Sequence, residues 1–93
     1  MRKIRWSTEF KRDHKRIKAS PKHRDMDQLL LSVVTLLSAD ESLPESNRDH
    51  SLSGDWVGYR ECHIKPDLLL IYRKLDEDIL RLARLGSHAE LFR

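Results

Sequence analysis

One cysteine, Cys62, is the chain's whole complement, so no intrachain disulfide forms and a zinc site built on several thiolates is excluded. Nothing here asks for an oxidising compartment. With three glycines and three prolines, the chain shows no low-complexity tract and no internal repeat. The longest apolar stretch, LLLSVVTLL, falls far short of the roughly 20 residues a spanning helix needs. The start, MRKIRWSTEFKRDHKRIK, is basic and has no apolar segment of the signal-peptide kind. A soluble cytoplasmic protein, with no membrane partner, is expected.

What is present fits one small domain spanning residues 1–93. A chain of 93 residues can bury about 65% of the surface it exposes when unfolded, enough for one core without staples. The formal charge is +3, an excess too small to prove a polyanion partner. Its distribution says more. The first 24 residues are strongly basic, with acids only at Glu9 and Asp13, while Asp40–Glu45 is acidic. Such a lobe suits either a phosphate-rich surface or a solvated helix face.

The stretch KIRWS alternates polar and apolar residues and predicts a first strand. Ser7 and Thr8 can cap a helix through about Ala19, with Phe10, His14 and Ile17 on one face. SPKHRD breaks it, and Pro21 suits the first turn of the next helix. From Lys22 to Leu37, Met26, Leu29, Leu30, Val33, Leu36 and Leu37 form a broad stripe suited to packing on a sheet. The two helices make a hairpin. A long polar connection, SADESLPESNRDHSLSG, then delivers His50 to the sheet's edge. Three strands follow, Trp56 to Ile64, Leu68 to Lys74 and Ile79 to Leu85, joined by turns at Lys65-Pro66-Asp67 and LDED. The middle one is an apolar run typical of a central strand buried on both faces. Gly86 ends the last strand, and SHAELF makes a terminal helical turn capped by Ser87. The predicted class is α+β, ordered β-α-α-β-β-β: an antiparallel sheet with a helical hairpin on one face and the other face open.

Period-two alternation before the Pro turn puts Tyr59, Glu61 and His63 on one side and Gly58, Arg60, Cys62 and Ile64 on the other. Cys62 and Ile64 are the core pair, so Glu61 and His63 face the open side, although Arg60 fits this poorly. A meander brings Arg84 and His88 beside the hairpin, and the long connection ends at His50. His50, His63, Asp67, Arg84 and His88 are therefore expected to converge. Cleaving RNA without a metal needs a base for the ribose 2′-OH, a cation over the phosphate and an acid for the departing 5′ oxygen. Histidine serves as base or acid near pH 7, its unperturbed pKa being about 6.5. Arginine holds two phosphate oxygens in its fork. Plainer readings exist for each. His63 can be a strand residue satisfying a neighbour, Asp67 a turn residue after proline, and Arg84 a cross-strand partner of Glu61. His14 and His23 are assigned to helix faces without chemistry. Three histidines and an aspartate also resemble a zinc shell, but no tight ligand spacing such as HExxH is present, and neither metal nor cofactor is expected.

The motifs DHSLSGDWVGYR before the hairpin, HIKPD at the turn, LIY in the next strand and RLGSHAELF at the end stand in a fixed order. Together they resemble the C-terminal half of the YafQ branch of the RelE/ParE toxin superfamily, the ribonucleases of type II toxin–antitoxin systems. The N-terminal half agrees in pattern. The resemblance implies a metal-independent endoribonuclease that enters the ribosomal A site and cuts the mRNA codon there, the 2′-OH attacking its own phosphate. By the same resemblance, His50, His63, Asp67 and His88 match the family's acid–base set and Arg84 its phosphate-binding arginine. Phe92 matches its C-terminal aromatic, stacking near the substrate base. Glu61, on the same face as His63, is placed with Phe92 among the substrate-binding residues. His88 is expected as one proton-transfer partner, Asp67 or His50 as the other. Leu68 stands where the family commonly has Trp, a point where substrate grip or codon preference can differ. The implied partners are mRNA on the ribosome and a cognate antitoxin of ribbon–helix–helix type, with operator DNA met only through that antitoxin. The superfamily also holds ParE-like gyrase inhibitors on the same scaffold. A third possibility is a basic RNA-binding module without catalysis, which would bind phosphate in a salt-dependent way.

Overall fold

The structure, a computed structural model, describes residues 1–92. The first strand, β1, runs Lys3–Trp6, and Ser7 turns it into helix α1, Thr8–Lys18. Ser7 is buried and stitched three ways. Its N–H donates to the Leu82 carbonyl at 3.0 Å, and its hydroxyl donates to the Ala83 carbonyl at 2.7 Å while accepting from the Phe10 N–H at 3.0 Å. The last of these is an N-cap, which stabilises a helix by roughly 1 kcal/mol.

A 3-10 turn, Pro21–His23, precedes helix α2, Met26–Ser38. The second helix therefore starts four residues later than its apolar pattern predicts. The intervening turn is held from outside. The Lys65 ammonium donates to the Lys22 carbonyl and the Asp25 carboxylate, each at 3.0 Å. Met26, Leu30, Val33, Val34 and Leu37 are the buried apolar positions of α2, with Leu29 and Leu36 only partly covered.

Four more strands complete one sheet: β2 His50–Ser51, β3 Arg60–Lys65, β4 Leu68–Leu75 and β5 Ile79–Gly86, in the order β1-β5-β4-β3-β2. The sheet is mixed, not antiparallel throughout as predicted, because β1 pairs parallel to β5. The helices carry the chain to the far edge. The meander then steps back until its last strand reaches β1 running the same way. The predicted strand from Trp56 to Ile64 is also shorter than its sequence suggests. Gly54–Trp56 forms a 3-10 turn, and Gly58 adopts φ 90°, a left-handed conformation that interrupts a strand. Residues 53–58 instead arch between β3 and a fifth, two-residue strand, β2, that no alternation in the sequence announces.

The main core lies between helices and sheet, with Phe10, Ile17, Met26, Val33 and Leu37 packed against Cys62, Ile64, Leu70, Tyr72, Leu82 and Leu85. Cys62 is fully buried there, and burial pushes its thiol well above the ordinary range. In β4, the residues from Leu68 to Tyr72 are buried on both faces, as expected of the middle strand. The opposite face is not bare. Leu69, Ile71, Ala83 and Leu91 form a second, smaller cluster, partly covered by Leu52, Trp56, Tyr59 and Phe92. The arch and the short helix α3, His88–Leu91, thus frame the sheet's second face.

Candidate active site

Two-residue β2 is too short to hold itself, yet it carries His50. Its anchor is Asp49. The buried Tyr72 hydroxyl donates to Asp49 Oδ1 at 2.6 Å, and the Arg60 guanidinium reaches both Asp49 oxygens at 3.3 Å. Burial, and then the hydrogen bond to Asp49, raise the Tyr72 hydroxyl far above its ordinary value, so it stays a donor. Beyond this clasp His50 pairs with Glu61 across the β2–β3 ladder. His50 Nδ1 lies 2.8 Å from the Arg48 carbonyl. A carbonyl only accepts, so Nδ1 carries the hydrogen, and in the neutral ring Nε2 holds the free lone pair.

Glu61 is buried, and its Oε1 lies 3.6 Å from His50 Nε2 and 3.8 Å from His63 Nε2. The loop before β2 also fixes His63 from behind, through a 2.7 Å bond from Asn47 Nδ2 to the His63 carbonyl. A carboxylate so placed is a ready counter-ion for a positive charge on either imidazole.

The ends of three neighbouring strands meet beside this group. His63 pairs with Leu69, and Leu69 with Gly86. Asp67 lies in the turn just before β4 begins, and His88 opens α3 two residues after β5 ends. Asp67 and Ser87 line one cleft of about 220 Å³ with Ser20, Lys22 and His23. Within it Lys22 Nζ lies 3.9 Å from Asp67 Oδ2. His88 is exposed on the first turn of α3. That turn is set by a capping box in which Ser87 Oγ accepts from the Glu90 N–H at 3.2 Å and Glu90 Oε1 accepts from the Ser87 N–H at 2.8 Å. The first of the forces lowering the Glu90 carboxyl is that Ser87 N–H. Phe92 packs on the second cluster and lies with its ring 5.0 Å from that of His88.

Arg84 lies in the same cross-sheet row as Glu61, through Ile71. It does not pair with Glu61. A bulge at Ile71/Tyr72 lets Asp13 of α1 reach in, accepting from Arg84 Nε at 2.7 Å, Arg84 Nη2 at 3.3 Å and the Leu85 N–H at 3.0 Å. Burial alone would raise the Asp13 carboxyl, but Arg84, the Leu85 N–H and Arg16 outweigh it and hold it below the ordinary carboxylate range. Arg84 is thus pre-oriented and still about a quarter exposed.

The structure therefore brings His50, Glu61 and His63 into one contact group, while Asp67 sits in the β3–β4 turn with Lys22 and His88 at the start of α3 with Phe92, so the expected convergence holds only for His50 and His63, joined through Glu61. Arg84 shares their sheet through the Glu61–Ile71–Arg84 row, with its guanidinium held by Asp13 of α1. Leu68 is fully buried in the main core and offers no surface to a substrate. Among the described residues, no group of three or more His, Cys, Asp or Glu side chains is arranged to hold a metal ion. Two residues of the site escaped the sequence reading. Asp13 falls between Phe10 and Ile17 on the buried stripe of α1, and a carboxylate there asks for a buried partner. Asp49 carries no signal beyond its place beside His50.

Residues 2–93 match the family described as a bacterial toxin of type II toxin–antitoxin system, YafQ. A curated relative, the mRNA interferase toxin YafQ of Escherichia coli strain K12, is 41% identical over 91 residues, or 98% of this chain and 96% of its own. Among solved structures, a copper-bound mutant toxin from Helicobacter pylori superposes with a TM-score of 0.87 at 39% identity, over 99% of this chain and 100% of that one. The toxin of the E. coli DinJ–YafQ toxin–antitoxin complex gives 0.81 at 41% identity, over 99% and 98%.

Proposed function

Since the chain belongs to the YafQ family of type II toxins, we propose that it is an endoribonuclease that cuts mRNA on the ribosome by metal-independent acid–base chemistry, restrained by a cognate antitoxin. The observation that carries this reading is the buried Glu61 carboxylate set between two imidazole Nε2 atoms.

In the proposed step the ribose 2′ oxygen attacks the adjacent phosphorus and the bond to the 5′ oxygen breaks. The 2′ proton passes to the His50–Glu61–His63 group, with His50 Nε2 the natural acceptor because its Nδ1 is already committed to a carbonyl. Glu61 stabilises the imidazolium so formed without rearrangement. His88, exposed at the start of α3, returns a proton to the leaving 5′ oxygen. The products are a 2′,3′-cyclic phosphate and a 5′ hydroxyl, and no water is consumed. Arg84, braced by Asp13, meets the charge that builds on the phosphate, and Phe92 offers a stacking face for a base.

Cleavage of mRNA on programmed ribosomes, measured for the wild type and for Glu61→Gln and His88→Gln, tests this. Each variant should keep its fold by circular dichroism and lose about 100-fold or more in kcat, the usual scale for a proton-transfer group. Wild-type rates in both would end the assignment.

A further inference from the structure

Beside His63, the loop before β2 and the end of β3 border a cleft of about 510 Å³ lined by Ser46, Asn47, Arg48, His63, Lys65 and Pro66. That volume lies within the roughly 300–1,000 Å³ of small-ligand sites. Resting on the ribonuclease reading above, we propose that this cleft is an RNA subsite and that Arg48 binds a phosphate flanking the scissile one.

Three observations converge on Arg48. Its backbone is left-handed, at φ 48° and ψ 45°. The other two non-glycine residues with positive φ, Asp40 and Asp76, are aspartates, a type that tolerates that region. Arginine does not, and a glycine or asparagine would take this turn more cheaply, so the side chain is the reason to look for a function here. The second observation concerns competition for anions. Lys65 lines the same cleft, but its ammonium is committed to the Asp25 carboxylate and the Lys22 carbonyl. The nearest acid along the chain, Asp49, is taken by Tyr72 and Arg60. Arg2, Arg16, Arg60 and Arg84 each pair with a carboxylate, whereas Arg48, like Arg5, Arg12, Arg24, Arg73 and Arg81, has no such partner among the described residues, and of these it is the one that lines this cleft. The third is placement. The carbonyl of Arg48 fixes His50, and the residue before it, Asn47, bonds the carbonyl of His63. One loop thus holds the His50 ring and the His63 backbone while carrying Arg48 into the cleft beside His63, where the next phosphate of a strand bound over the two histidines would meet it.

The test is steady-state cleavage of ribosome-bound mRNA by the wild type, Arg48→Ala, Arg48→Gly and Arg48→Lys at several salt concentrations. Arg48→Gly removes the side chain and relieves the left-handed backbone, so it separates loss of charge from loop strain. KM should rise about tenfold in both Arg48→Ala and Arg48→Gly with kcat nearly unchanged, the size of one charge-assisted phosphate contact. Arg48→Lys should recover part of the loss, and the slope of log KM against log salt should fall by about 0.7 in the neutral variants. Unchanged KM in both neutral variants overturns the proposal, as does a loss in Arg48→Ala that Arg48→Gly restores, which makes the residue structural. Weakened antitoxin binding with intact cleavage assigns Arg48 to a protein contact and overturns it too. A wild type that cleaves no ribosome-bound mRNA defeats the ribonuclease reading itself, a different failure from these.

Discussion

Asp13 is the residue that holds Arg84 in place. It is buried and answers two Arg84 nitrogens and one backbone N–H. Removing one partner of a buried pair leaves the other charge uncompensated, so Asp13→Asn should cost about 3 kcal/mol in urea unfolding at neutral pH. The low end of the range applies because Arg84 is partly exposed. The pH dependence has a definite sign. The folded carboxyl titrates below its ordinary value, so its contribution is complete above the unfolded pKa of about 4 and is lost as the pH falls through the folded one. The wild type should therefore lose stability below pH 4 more steeply than Asp13→Asn, and parallel curves would contradict the clasp. At this scale the sequence was most legible along one strand: Glu61 and His63 stand out by alternation and His50 by its place at the end of the long connection, and the structure sets these three within 4 Å of one another through Glu61. Asp13 and Asp49 do not stand out, because what they do depends on which strand ends beside them. A carboxylate on a buried helix stripe was the one available hint.

Among the α-helices, α3 is the shortest and the most exposed to perturbation. Its four residues, His88–Leu91, are held by the Ser87–Glu90 capping box and by Leu91 on the second cluster. Ser87→Ala removes one cap bond, worth about 1 kcal/mol. Hydrogen exchange at the Glu90 and Leu91 amides should accelerate about fivefold, and cleavage should fall with it, since His88 and Phe92 ride on this turn. Exchange unchanged from wild type would mean that packing alone holds α3. The helices, the central strand and this terminal cap could all be read from periodicity and capping residues. The edge could not. β2 is two residues long and exists because Asp49 is anchored to Tyr72, which lies 23 positions further on. Local alternation carries no trace of such a contact. The same holds for the parallel pairing of β1 with β5, which follows from where the helices deliver the chain.

Across the whole molecule the site is an assembly of the sheet's edge and the ends of its strands, with α1 bracing it from beneath. Chain segments far apart in sequence close around it. Arg2 and Lys74 also converge on Asp40, holding that carboxyl near a pKa of about 2, first through the Lys74 hydrogen bond and then through Arg2. This ties β1, the end of α2 and β4 together at the opposite end of the sheet. No helix among the described residues is long and apolar enough to cross a membrane. The formal charge of +3 is modest, so under the proposed function RNA would be recognised through placed groups such as Arg84 and Phe92 and not through bulk attraction. The most direct test of the account is end-group analysis of mRNA fragments from programmed ribosomes, with and without a chelator. Upstream fragments ending in 2′,3′-cyclic phosphate and downstream fragments beginning with 5′ hydroxyl, at equal yield in both conditions, are the predicted result. Fragments with 5′ phosphate ends, or cleavage abolished by the chelator, would contradict it.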